Sequence, residues 1–135
     1  LTLTVITNSP PLAMALNEHE NVEVILLGGR YYKRYQIAMG PEVSNQLKRF
    51  NADLYFMGVN GIDKGKGLTI RNYEESILKQ QMMAAAKNTI CCVVEEKIGV
   101  VEAYQICPLE KISTLITNEE PNSISLLGFE GVERV

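Results

Sequence analysis

The residues with most chemistry to offer stand directly after short apolar runs. Thr7-Asn8-Ser9 follows LTVI, Gly28-Gly29 follows VEVILL, and GVNGIDKGKGLT, residues 58–69, follows LYFM. Such positions present backbone N–H groups, small polar side chains and glycines that let a ligand approach the main chain, which is the chemistry of anion and hydroxyl binding. Within residues 58–69 the groups of interest are Asn60, Gly61, Asp63, Gly67 and Thr69. Beyond them lie Glu75 and Lys79, and then Lys97, placed after TICCVV where a lysine can meet a phosphate or carboxylate.

Each group also has a plainer reading. Asn8 and Ser9 can cap the helix that begins after Pro10, and Gly28-Gly29 can be a turn. Residues 58–69 can be a solvated loop. Glu75 and Lys79 are spaced i, i+4, so they can form a surface ion pair contributing only ~0.3–0.5 kcal/mol. Lys97 can be exposed charge. His19, between Glu18 and Glu20, reads as surface at a helix end.

Several chemistries lack support. The glycine-rich stretch matches neither G-x-x-x-x-G-K-[ST] nor G-x-G-x-x-G, so nucleotide hydrolysis and nicotinamide chemistry lose their usual motifs, and no cofactor is expected. Cys91, Cys92 and Cys107 are an odd set without C-x-x-C spacing. That supports neither a disulfide framework nor a zinc site and fits a reducing, cytoplasmic location. Thirteen lysines and arginines against sixteen acids give a net charge of −3, with the cations scattered. This is the wrong sign for neutralising the phosphates of a duplex. No apolar run approaches the ~18–20 residues that cross a bilayer, and the first residues lack a signal-peptide pattern, so no membrane partner is expected.

The elements that must position these groups alternate in type. Strands are predicted at residues 3–7, 22–27, 54–57, 89–94 and 113–117. Between them come a brief helix opened by Pro10-Pro11, a helix from Gly40-Pro41 to about Phe50, and a long helix from Tyr73 to Lys87. Residues 31–35, YYKRY, read as extended or loop, and residues 108–111 as a turn or short helix. Near-continuous apolar strands separated by helices predict an α/β fold: a mostly parallel, Rossmann-like sheet with helices on both faces. A ligand crevice in such a sheet lies at the carboxyl ends of the strands. The 135 residues suit one domain.

Taken in order, TVITNS, VILLGG, ADLYFMGVNGIDKGKGLT, EESILKQQMM, the K-x-G of Lys97 and Gly99, and LIT resemble the C-terminal sensor domain of the DeoR family of bacterial transcription regulators. The resemblance covers nearly the whole chain. Its most specific part is A-D-x-x-F-x-G-x-x-G-I-D-x-x-x-G-L-T, residues 52–69. It implies a fold related to ribose-5-phosphate isomerase, glucosamine-6-phosphate deaminase and the coenzyme A transferases, a phosphorylated sugar as effector, and an oligomeric repressor whose N-terminal winged helix reads DNA. The effector-binding residues carried over are Asn8, Ser9, Gly28, Gly29, Asn60, Gly61, Asp63, Gly67, Thr69, Glu75, Lys79 and Lys97. Asn8 and Gly61 are expected to supply amide or backbone contacts, Asp63 and Glu75 to meet sugar hydroxyls, and Lys79 and Lys97 to meet phosphate or nearby hydroxyls.

The chain departs from the family pattern in three places. No DNA-reading segment is expected within these residues. The strand and G-[ST]-T loop that normally precede T-x-x-T-N are missing, so the chain is expected to begin inside the sensor domain. Val94 stands where many members have the Asp of D-x-x-K. The rival readings are a sugar-phosphate isomerase on the same fold and a ligand-free oligomerisation module. An isomerase needs a carboxylate as general base, and Asn60 occupies what resembles an acidic position of the isomerases' D-G-A-D stretch. With Val94 removing a second acid, the remaining groups suit binding without turnover, and no catalytic residue is expected.

Overall fold

The computed structural model describes residues 1–118 and 131–134. They fall into two compact units, Leu1–Arg49 and Phe50–Val135.

In the first unit, β1 (Leu3–Thr7) and β2 (Val22–Leu26) pair in parallel, with Leu3 opposite Val22 and Thr7 opposite Leu26. The connection is α1 (Pro10–Ala15), which starts where the sequence places its prolines, because an N1 proline lacks only an N–H that has no helical partner anyway. β3 (Arg30–Tyr32) and β4 (Ile37–Met39) form an antiparallel hairpin whose turn puts Gln36 at φ 55°. The stretch read as extended or loop is therefore half strand and half turn. α2 (Pro41–Leu47) stops three residues short of the predicted Phe50 and buries Val43 and Leu47, which join Leu27, Ala38 and Met39 in the core of this unit.

In the second unit, β5 (Ala52–Met57), β8 (Ala86–Val93), β10 (Thr114–Thr117) and β11 (Val132–Arg134) make a parallel sheet in the order β11-β10-β8-β5. β6 (Gly61–Asp63), β7 (Gly67–Ile70) and β9 (Tyr104–Cys107) make a separate antiparallel sheet in the order β6-β7-β9. α3 (Tyr73–Ala84) joins β7 to β8, and short 3-10 turns occupy Glu95–Lys97 and Leu109–Lys111.

The pleat decides the core. Cys91 and Val93 of β8, Met57 of β5 and Leu115 of β10 point to one side and pack with Ile62, Leu68, Ile70, Ile106, Cys107, Leu109 and Ile112. On the strand positions between them, Leu54, Phe56 and Cys92 are exposed. Deleting a fully buried side chain such as Leu115 costs roughly 2–5 kcal/mol, so this cluster holds the unit together.

Three predicted assignments are corrected. Residues 58–69 are not a loop: two short strands and a tight turn fill most of them. The long helix ends at Ala84 and β8 begins at Ala86, because Ala86 and Asn88 pair with Ala52 and Leu54; strand pairing overrides the helix preference of the alanines there. β9 and β11 lie outside every predicted strand. The parallel strands of the α/β expectation are present, and few helices accompany them.

Candidate functional site

In the first unit the expected contact residues do structural work. Asn8 Nδ2 donates to the Ala38 carbonyl at 2.9 Å, and the Ala38 N–H donates back to the Asn8 carbonyl at 2.9 Å, tying the end of β1 to β4. Ser9 is the N-cap of α1, its Oγ accepting from the Leu12 N–H at 3.3 Å. Gly28 exchanges two hydrogen bonds with the Gln46 side-chain amide, at 3.1 and 3.2 Å. A side chain on Gly29 would meet Val43 Cγ2 at 3.3 Å, so Gly29 marks where β2 passes close to α2.

The glycine hairpin of the second unit is similarly self-occupied. Asn60 Oδ1 accepts from the Arg71 N–H at 2.9 Å, a bond an aspartate would also make. Asp63 Oδ2 accepts from the N–H groups of Gly65 and Lys66, at 3.0 and 2.8 Å, and builds the turn between β6 and β7. Gly61 and Gly67 are packing glycines: a Cβ on the first would overlap the Val100 carbonyl oxygen, and on the second, which sits at φ 74°, the Cys107 carbonyl oxygen. Thr69 is buried, and its Oγ1 accepts from the Glu102 N–H at 2.9 Å.

Glu75, Lys79 and Lys97 differ, Lys79 lying within electrostatic reach of each of the other two. α3 places the first two. Its N-cap Asn72 accepts from the Glu75 N–H at 2.9 Å, and Glu74 and Glu75 in its first turn suit the positive end of the helix dipole. Leu78 and Ser76 are buried, and Gln80 Nε2 donates to the Ile106 carbonyl at 2.9 Å, fixing the helix against β9. Glu75 and Lys79 are thus half-buried rather than a surface pair. Burial pushes the Glu75 carboxyl above the usual carboxylate range, with Lys79 opposing. Burial holds the Lys79 ammonium below the usual lysine range; Glu75 and Cys91 oppose this, and Lys97 adds to it. Lys79 thus lies within electrostatic reach of a carboxylate and of a second cation, and burial bears on both Glu75 and Lys79. That set can neutralise a phosphate while the carboxylate accepts from a hydroxyl.

Sequence reasoning missed two neighbours of this cluster. Tyr55, half-buried on β5, has a phenol raised mainly by burial and then by Glu75, Cys91 and Cys107. Cys91, fully buried, has its thiol pushed up to about 12 by burial and by its cysteine neighbours, so it is a core group and not a nucleophile. The only signal in the sequence was a phenol placed out of phase with Leu54 and Phe56. Val94 is exposed at the end of β8. Among the described residues there is no cluster of His, Cys, Asp or Glu that could hold a metal, and no helix long and apolar enough to cross a membrane.

Residues 1–119 match the DeoR C terminal sensor domain, and the chain belongs to that family. It is 37% identical over 132 residues to the HTH-type transcriptional repressor GlcR of Bacillus subtilis, covering 96% of this chain and 51% of that protein. It is 35% identical over 141 residues to the HTH-type transcriptional regulator GlpR of Haloferax volcanii, covering 98% and 55%. It is 30% identical over 115 residues to the L-fucose operon activator of Haemophilus influenzae, covering 85% and 46%. The chain therefore spans about half the length of these relatives. They are named as regulators, and the domain is a regulatory sensor rather than a catalyst.

Proposed function

We propose that this chain is the effector-sensing part of a DeoR-type regulator of sugar-metabolism genes, and that its effector is a phosphorylated sugar. The observation that supports the reading is the set of Glu75, Lys79 and Lys97: burial disfavours the charge of Glu75 and of Lys79, and Lys97 bears further on Lys79, which is a cost to the domain. An anion with hydroxyl groups offsets that cost, and the L-fucose operon named in one relative makes a sugar the natural carrier.

Lys79 and Lys97 take the phosphate and Glu75 a hydroxyl. The glycine hairpin and the loops after β1 and β2 belong to the same sensor domain as its framework, within a Rossmann-like fold of the ribose-5-phosphate isomerase kind. DNA is read by a helix-turn-helix outside these residues, in a cytoplasmic homo-oligomer. Signalling follows from a higher affinity of the effector for one domain arrangement than for another, since equal affinity shifts nothing.

A thermal-shift screen against sugar phosphates and the corresponding free sugars tests this, because a ligand that binds only the native state raises its melting temperature. The expected result is a selective shift with a phosphorylated sugar, lost in Lys97→Ala, with no product formed. Turnover of the sugar, or equal shifts with free sugars, contradicts it.

A further inference from the structure

We infer that Thr69 is a positioning residue for Lys97, acting through a strap of main chain, residues 98–102, laid across the β6–β7 hairpin. The inference rests on the reading of Lys97 as an effector contact.

Lys97 closes a 3-10 turn, its N–H donating to the Val94 carbonyl at 3.0 Å. Immediately after it the chain is tied down. Ile98 forms a parallel bridge with Ile62, and the Gly99 N–H donates to the Ile62 carbonyl at 2.8 Å. At the far end the Glu102 N–H donates to Thr69 Oγ1 at 2.9 Å, and Arg71 Nε donates to Glu102 Oε2 at 2.9 Å. Between these ties the Val100 carbonyl lies against the bare Cα of Gly61, the residue opposite Thr69 in the hairpin register.

Both hairpin anchors are sealed, Ile62 at 0% and Thr69 at 1% exposure. The Thr69 hydroxyl is therefore a fixed acceptor. Without it the Glu102 N–H loses its partner, and the strap is held at the Gly99 end and by an ion pair whose arginine is exposed. A lysine on a loosened strap must be ordered when the anion binds, and that ordering lowers affinity. Thr69, carried over from the family pattern as an effector contact, thus serves the site from behind.

The test uses Thr69→Val, which keeps the size and removes the hydroxyl, and Thr69→Ser, which keeps the hydroxyl. Both are titrated with inorganic phosphate, alone and combined with Lys97→Ala, and exchange of the Gly99 amide is followed without ligand. Thr69→Val is expected to weaken phosphate about five- to tenfold and to cost nothing further once Lys97 is removed. It is also expected to speed Gly99 exchange. Thr69→Ser should restore both. Equal losses from Thr69→Val with and without Lys97, or unchanged Gly99 exchange, overturn the inference. A phosphate affinity that Lys97→Ala leaves untouched overturns instead the effector reading on which it stands, and the inference with it.

Discussion

The glycine hairpin and the charged cluster carry comparable weight in the sequence, yet they do different physical work. In the hairpin, polar atoms are spent internally: Asp63 on the turn amides, Asn60 on Arg71, Thr69 on Glu102. Backbone from residues 100 and 107 passes where a side chain on Gly61 or Gly67 would be. In the cluster, charge is held under partial burial that disfavours it. A region that satisfies itself is expected to act as framework, whereas one that holds charge under burial is the candidate for binding.

The comparison predicts opposite mutational behaviour. The largest effect is expected from Gly61→Ala or Gly67→Ala. Overlap with a main-chain carbonyl, joined at Gly67 by a positive φ, should cost roughly 3 kcal/mol or more, read as a fall in denaturant midpoint. Asp63→Ala removes the acceptor of two turn amides and should cost about 1 kcal/mol, since exposed amides regain water. Lys79→Met, which removes a half-buried charge, should not lower the denaturant midpoint while it abolishes the ligand-induced shift. If the hairpin variants fold normally but lose ligand, or Lys79→Met unfolds the domain, the division of labour is wrong.

The cluster also predicts a pH signature. Lys79 has its folded-state pKa lowered, so its contribution to stability is present above the ordinary lysine range and is lost as pH falls through the lowered value. Glu75 is raised, so its contribution is present below the ordinary carboxylate range and is lost as pH rises through the raised value. An anion that restores the charged form of Lys79 must take up protons as the pH approaches that lowered value. Phosphate affinity is therefore expected to fall with rising pH below the range of ordinary lysines, and isothermal titration across that window checks it. Affinity that is flat until ordinary lysines titrate contradicts it.

How far the sequence could be read follows the same division. The parallel strands are legible because VEVILL, LYFM and TICCVV are apolar and bounded by glycine or polar residues. The β6–β7 hairpin is not, because its strands are three and four residues long and include glycine, and its turn depends on an aspartate side chain. β8 begins early because alanines of helical preference are captured by β5. At the site, the residue types and the i, i+4 spacing of Glu75 and Lys79 were readable. Their burial was not, since it arises where α3 lies against β5, β8 and β9, which other stretches of the chain supply. The uses of Asn60 and Thr69 were likewise hidden, because their partners are Arg71 and Glu102.

The central claim is that the lysine cluster recognises and the hairpin supports. Melting Lys79→Met beside the unaltered chain, with and without the phosphorylated sugar that gives the largest shift, tests it most directly. A melting temperature that is not lowered without ligand, and no shift with it, is the predicted result. A shift of full size in Lys79→Met would contradict the claim.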